Sequence, residues 1–311
     1  MNQPLVSVLM TAFNAGDYIG DAIQSLLRQT YTNFELLVLD DGSIDNSREI
    51  VDSFHDERII KVYNEKNEGL VAARNRLVRL SRGKYIAFLD ADDRAFPQRL
   101  QKQVEFLESS NISICGTGHF TLEELTGHIK TSKQLNNDPD IRALITVCSP
   151  LCNPSIMILA EVLKKFPYKP GNDGAEDYAL WQELALAGYK FANLSDILIT
   201  YRLHELQITK RQSGRIKAIF FKCQENYLEG LGIPLENRPR SLYFLERVLI
   251  APRFLFLLNR SIKNISYIAN CQIYSRFQFR GNGLLTPFTR LERYLVSFWV
   301  IIFSRLSKSN S

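Results

Sequence analysis

The chain has 311 residues, 45% of them hydrophobic, and a net charge of +5, enough apolar material for one large core with an appended piece and too much for a disordered chain. Its five cysteines, Cys115, Cys148, Cys152, Cys223 and Cys271, lack paired CxxC spacing, which argues against a zinc module or a disulfide framework and for a reduced setting. The first residues, MNQPLVSVLMTAFN, carry no basic stretch before the apolar run, unlike a secretory leader.

Val6 to Met10 reads as a buried strand, Tyr18 to Arg28 as a helix, Phe34 to Leu39 as a second strand and Asp45 to Phe54 as a second helix. Ile59 to Tyr63 is a third strand and Leu70 to Leu80 a third helix. A strand from Tyr85 to Leu89 then runs into Asp90, Asp92 and Asp93. This alternation is the βαβ rhythm of an α/β chain with a mostly parallel sheet. Ligands of such sheets bind beyond the carboxyl ends of the strands, so Thr11 to Asn14, Asp40 to Ser43 and Asp90 to Asp93 are expected in one crevice. Further on, Ile112 to Gly116 and Ser155 to Leu159 are strand-like, and the polar stretch near position 137 reads as an acceptor-side loop. A helix from Asp177 to Ala187, ended by Gly188, precedes a strand from Ile197 to Tyr201. No internal repeat is present.

Charge is distributed unevenly. Residues 1–237 hold 26 Lys+Arg and 31 Asp+Glu, whereas residues 238–311 hold 12 and 2. Arg247, Arg253 and Arg260 are interleaved with Phe254 and Phe256, a composition that suits an anionic membrane surface. The acidic body and the lack of a recognised motif argue against nucleic acid. The longest apolar run, Leu295 to Phe303, has nine residues, short of the roughly 20 that span a bilayer, so the tail is expected to lie on a membrane. An ordinary helical core with solvated arginines would give the same pattern, and both readings stay open.

Three patches carry candidate chemistry. Asp90-Ala91-Asp92 sits where a buried strand releases the chain, and a hard divalent cation shared with phosphate needs only one or two carboxylates. Capping of the helix that follows Pro97 is the alternative. Asp40-Asp41-Gly42-Ser43 offers carboxylates to the N–H of a pyrimidine base, although Asp-Gly is also an ordinary turn. In Asn67 to Asn75, Gly69 permits an unusual backbone angle, and Arg74, a turn into the helix, has the fork geometry for a diphosphate.

Taken in order, VSVLMTAFN, LLRQTYTNFELLVLDDGS, NEGLVAARN, GKYIAFLDADD, GAEDYALWQELALAG and YRLH resemble the family-2 glycosyltransferases of the GT-A fold, over roughly residues 4–205. The resemblance implies a GT-A domain over 1–205, with a nucleotide-binding half (1–110) and an acceptor half (111–205), followed by a basic helical extension over 206–311. It implies that Thr11, Phe13, Asn14 and Asp41 contact the nucleoside, that Arg74 and Asp90 help hold the donor, and that Asp92 binds Mg²⁺ or Mn²⁺ with His204 close by. Glu176-Asp177 matches the family's acidic pair, with Asp177 as general base and Glu176 toward the acceptor. Helix capping by Asp177 and a structural role for His204 are the plain alternatives.

The chain lacks the Gln-x-x-Arg-Trp motif of processive relatives, so one sugar per encounter is expected. The expected donor is a nucleotide-diphosphate sugar, UDP-linked, and the acceptor a saccharide or lipid-linked saccharide of cell-surface polysaccharide assembly. The expected location is the cytoplasm, at the inner face of the membrane. A phosphotransferase with an aspartyl nucleophile would want that residue near the first strand, which has Thr11 and Asn14 instead. A nucleotidyltransferase would want a basic loop there, and MTAFNAGDYIG has no Arg or Lys. A non-catalytic scaffold binding nucleotide-sugar or membrane stays open. His55, His119 and His128 read as surface residues, and Cys148 and Cys152 as packing.

Overall fold

Alternation along the first two strands explains why helices cover both sides of the sheet. In β1 (Val6–Ala12), Val6, Val8, Met10 and Ala12 join one apolar cluster while Leu9 joins another. In β2 (Phe34–Asp40), Leu36 and Val38 face one way and Leu37 and Leu39 the other. Period-two alternation sends neighbours to opposite faces, so strands apolar at nearly every position must be buried on both. Helices α1 (Ile19–Leu27) and α2 (Ser47–Ser53) contribute Ile19, Ile23, Leu26 and Val51 to one face. Helix α3 (Leu70–Leu80) contributes Val71, Leu77 and Val78 to the other.

The computed structural model describes residues 3–132, 134–205, 207, 213–234, 254–266, 268–270 and 272–273. Strands β3 (Ile59–Tyr63), β2, β1 and β4 (Tyr85–Phe88) are adjacent and parallel. Beyond β4 the sheet turns mixed. The chain passes through β5 (Arg94–Ala95), α4 (Arg99–Glu108), β6 (Ile114–Glu123) and β7 (His128–Thr131). It continues with α5 (Asp138–Leu144), β8 (Met157–Leu159), α6 (Ala160–Lys165), α7 (Glu176–Leu186), β9 (Phe191–Leu203) and α8 (Ser213–Gly230). Strand β8 runs antiparallel between β4 and β6, and β9 lies parallel to β6 with register shifts around Gly118.

The nucleotide half follows the sequence expectation within two residues at each end of the elements named, and four places in the acceptor half differ. Strand β6, expected over Ile112 to Gly116, runs from Ile114 to Glu123, because beyond Gly116 it keeps pairing with β9 and with β7. The polar stretch near 137 is irregular over residues 134–137 and helical from Asp138 on: the Asn137 side chain accepts the Asp140 N–H at 3.0 Å and Pro139 stands in the first turn, a cap and a φ restraint that favour a helix start. Strand β8 is shorter than Ser155 to Leu159, because Pro154 places Asn153–Ser155 in a 3₁₀ turn. The last strand starts six residues before Ile197, at Phe191.

The described part of 206–311 is docked on the acceptor half. Phe254, Leu258, Ile262 and Ile265, spaced as one helical face, are buried with Ala143, Leu144, Val147 and Leu228. The Ser266 N–H donates to Asp140 Oδ1 at 2.6 Å. Phe254 is therefore core, whereas Phe256, Arg260 and Lys263 are exposed. Arg247, Arg253 and the Leu295 to Phe303 run lie outside the described residues. Among the described residues no helix is long and apolar enough to cross a membrane.

Candidate active site

Three strand ends meet as the parallel order requires. The turn after β2 is tied to the turn after β1: the Asn14 N–H donates to Ser43 Oγ at 2.9 Å, and Asn14 Oδ1 accepts the Ile44 N–H at 3.0 Å. Asn14 takes a φ of 52° to do so, a region Asn tolerates better than most residues. Phe13 is 49% exposed beside this pair of turns, and Thr11 is half-buried at the strand end. Asp41 is 4% exposed and holds the loop before α3. Its Oδ1 accepts from Asn64 Nδ2 at 2.6 Å and the Glu68 N–H at 3.0 Å, and its Oδ2 from the Gly69 N–H at 2.9 Å. An ionised carboxylate has about four acceptor positions, so one on Oδ2 is left. Gly42, at φ 75°, lies so close to Lys66 that a Cβ would stand 2.6 Å from its carbonyl carbon.

Arg74 joins the end of β4 to the start of α7. Its guanidinium pairs with Glu176 and lies 3.3 Å from Asp90 Oδ1, with the Tyr168 ring centroid 5.6 Å away. The fork expected to face a diphosphate is thus occupied by carboxylates, and its net charge is shared among them. Glu176 also accepts the Gly174 N–H at 2.6 Å, which fixes the turn ahead of α7. Asp177, half-buried, accepts the Tyr178 N–H at 2.6 Å. Burial first, then the neighbouring Glu176 charge, outweigh Arg74 and push its carboxyl up to about 7. Burial likewise raises Asp90 to about 6, against the pull of Arg74. A half-buried carboxyl in a cleft with proton affinity near neutrality has the character of an acid–base group.

Asp92 meets His204 across the crevice, with Nε2 2.9 Å from Oδ2. Strand β9 brings this about. Its pairing with β5 sets Arg94 opposite Thr200, and the Arg202 N–H then donates to Asp93 Oδ1 at 2.9 Å while Arg202 Nε donates to the Asp92 carbonyl at 3.0 Å. Burial, with the charges of Asp92 and Asp90, pushes Asp93 well above the carboxylate range. Among the described residues no three metal-ligating side chains come together. The Asp92 and His204 pair nevertheless fits a cation that takes its remaining ligands from diphosphate and water, and an imidazole in the set favours Mn²⁺ over Mg²⁺.

Several participants carried no sequence signal. Tyr18, at the start of α1, donates to Glu124 at 2.8 Å and packs at a tilt against His204, with 4.8 Å between ring centroids. Its phenol is pushed up to about 12 by burial and by Glu124. Arg99, fully buried in α4, donates to the Phe88 carbonyl at 2.7 Å and holds the strand just before Asp90. His119 is half-buried rather than a surface residue, 6.0 Å from the Tyr201 ring. His55 and His128 are exposed, and Cys148 and Cys152 pack against apolar clusters as expected. Arg202 could have been found, since it stands inside Tyr-Arg-Leu-His.

Comparison with known proteins identifies the family. The description "Glycosyl transferase family 2" matches residues 7–165. The chain is 30% identical over 246 residues to the Escherichia coli UDP-Glc:alpha-D-GlcNAc-diphosphoundecaprenol beta-1,3-glucosyltransferase WfaP, covering 77% of this chain and 92% of that one. It is 31% identical to the putative teichuronic acid biosynthesis glycosyltransferase TuaG of Bacillus subtilis, over 72% and 88%. Among solved structures, S. aureus TarS 1–349 in complex with UDP-GlcNAc shares the fold at a TM-score of 0.58 and 15% identity, over 98% of this chain and 92% of that one. The match across half the chain, with the acidic crevice at the strand ends, places the protein in glycosyl transferase family 2 as a glycosyltransferase of the GT-A fold.

Proposed function

We propose that the enzyme moves one sugar from a uridine-diphosphate donor to a hydroxyl of a saccharide, carried on a lipid diphosphate, with inversion at the anomeric carbon. The observation that carries this reading is the Arg74 bridge, which ties the carboxylates at the end of β4 to the helix start bearing Asp177. In it, Phe13 offers an exposed ring to the base, and the remaining acceptor position of Asp41 takes the base N–H. Asp92 and His204 would hold Mg²⁺ or Mn²⁺, which supplies charge neutralisation to the departing diphosphate. Asp177 takes the proton of the acceptor hydroxyl as its oxygen bonds the anomeric carbon and the bond to diphosphate breaks. A single displacement inverts the centre. Arg74 holds Asp90 and Glu176 in place beside this carboxylate and shares its positive charge with them.

The names of WfaP and TuaG support an acceptor in cell-surface polysaccharide assembly. Such an acceptor is anchored in a bilayer, and the exposed stripe of Phe256, Arg260 and Lys263 suits an anionic leaflet at the cytoplasmic face. Phe256→Ser with Arg260→Glu should abolish sedimentation with phosphatidylglycerol vesicles; unchanged sedimentation rejects the stripe as the contact.

The deciding experiment for the function is thermal unfolding of the full chain with UDP, GDP, CDP or dTDP, each with Mn²⁺ or with EDTA. A ligand at about 100 times its Kd adds roughly 2.7 kcal/mol of stability. Stabilisation confined to UDP and lost in EDTA is the expected result. Stabilisation by none of the four overturns the reading.

A further inference from the structure

A cavity of about 270 Å³ opens on the acceptor half, between β6, β9 and the loop at 148–152. It is separate from the diphosphate end yet adjoins it. Tyr201 in its wall is followed directly in β9 by Arg202, which holds Asp93 and the Asp92 carbonyl. The Cys152 thiol, on the opposite wall, feels the charges of Asp93, Asp90 and Asp177.

Its lining is mixed but uncharged. Gln134, Ser132, Ser149 and Tyr201 offer hydrogen bonds, and the leucines of 135, 144 and 151 with Pro150 give an apolar side. No Asp, Glu, Lys or Arg lines it. Burial holds the His119 imidazole below its ordinary range and the Cys152 thiol well above its own, so both are neutral near pH 7. The polar groups are also arranged rather than scattered. Gln134 Nε2 donates to Ser132 Oγ at 2.8 Å and approaches His119 Nδ1 at 3.4 Å, while the Tyr201 hydroxyl has no partner among the described residues. An aromatic ring with an unspent hydroxyl, an oriented amide and an apolar wall match a sugar ring, whose faces are apolar and whose rim is hydroxylated. A carboxylate or phosphate would be desolvated here without a counter-charge. The volume falls just below the roughly 300–1,000 Å³ of drug-sized sites, room for one ring rather than a chain.

We propose that this cavity binds the terminal sugar of the acceptor, a neutral hexose or N-acetylhexosamine, with Tyr201 and Gln134 as its specificity-determining contacts. The inference rests on the proposed glycosyl transfer and adds the acceptor class. It also assigns a task to the C-terminal segment, since Gln272 from that segment closes one side of the cavity.

The test is saturation-transfer NMR on the full chain, held with UDP and Mn²⁺, against methyl N-acetyl-β-glucosaminide, methyl β-glucoside and methyl β-glucuronide. One or both neutral glycosides should bind and the uronide should not. Tyr201→Phe keeps the ring and removes only an unpartnered hydroxyl, so it should fold normally and weaken the neutral glycoside about 2- to 10-fold, the worth of one hydrogen bond. Gln134→Leu should do the same or more, with the UDP-induced rise in Tm unchanged in both variants. Wild-type affinity in both, equal binding of the uronide, or no glycoside binding while UDP still raises Tm would overturn the acceptor site and leave the proposed transfer standing. If Tyr201→Phe instead weakens a UDP-sugar relative to UDP, the cavity holds the donor sugar and the inference is wrong. Failure of UDP to raise Tm in the wild type brings down the proposed transfer, and this inference with it.

Discussion

The two halves of the sheet solve different problems. Around β1, β2 and β4 every strand is parallel and the site is made from turns, with Asp41 spending three of its acceptor positions on the loop it anchors. Beyond β4 the sheet mixes directions and shifts register at Gly118, and its cavity is lined by side chains from β6, β9 and the 148–152 loop. Under the proposed transfer, the first half would read what is constant in a nucleotide through fixed backbone geometry, while the other presents side chains that substitution can alter without moving the turns. The β4–β8 pairing makes the sheet continuous, and Arg74, pairing with Asp90 from one half and Glu176 from the other, is a polar joint beside it.

Cutting that joint should have the largest effect. Arg74→Met leaves Glu176 buried without its cation, and breaking a buried pair costs about 3–5 kcal/mol. Urea unfolding should show that loss, and adding Glu176→Gln should restore part of it; a change under about 1 kcal/mol would mean the halves are held together elsewhere.

Next comes the proposed base. Asp177→Asn should cut kcat at least about 10²-fold, worth about 2.7 kcal/mol of barrier, with UDP binding unchanged. In the wild type, kcat/KM should rise as pH climbs through about 7, where Asp177 loses its proton. The same group affects stability with a definite sign. Its carboxyl is raised from an ordinary 3.8 to about 7, so its protonated form favours the fold and that contribution fades between those values. Wild-type stability should therefore fall relative to Asp177→Asn between pH 4 and 7; parallel curves would separate the residue from the assigned proton.

Smaller effects sharpen the picture of the nucleotide half. Asp41→Ala frees the Asn64 side chain and the Glu68 and Gly69 amides and should cost about 1–3 kcal/mol, with weaker UDP binding in the same titration. Gly42→Ala forces an L-residue to φ 75° against Lys66, a strain of about 1–2 kcal/mol before any clash. A Tm equal to wild type would show that the loop before α3 moves aside.

The nucleotide half was legible because its signals are local. Apolar runs ended by Asn or Asp define β1 to β4 almost to the residue, and the parallel order then brings Asn14, Asp41 and Asp90 together without further information. The acceptor half was less so. Asn137 and Pro139 do announce α5, but in a stretch whose polarity resembles a loop. Nothing local in His119 or Tyr201 tells that β6 and β9 pair across some 80 residues, and pairing at that separation is set by tertiary packing. The tail was ambiguous for a related reason: Phe254 and Phe256 look alike in sequence, and only docking on α5 buries the first and exposes the second.

Strand β9 carries a further consequence. Tyr201 lies in the cavity wall, and the next residue, Arg202, sends its side chain to the other face of the strand, where Nε donates to the Asp92 carbonyl. A one-residue slip in an extended chain exchanges its two faces. Lengthening or shortening β9 by a single residue between its bulge and His204 would therefore trade the acceptor contact for the aspartate clamp and destroy both. New acceptor preferences can be reached by changing letters in this strand but not by changing its length, so variation in length is left to turns such as residues 125–127 between β6 and β7, which line neither site.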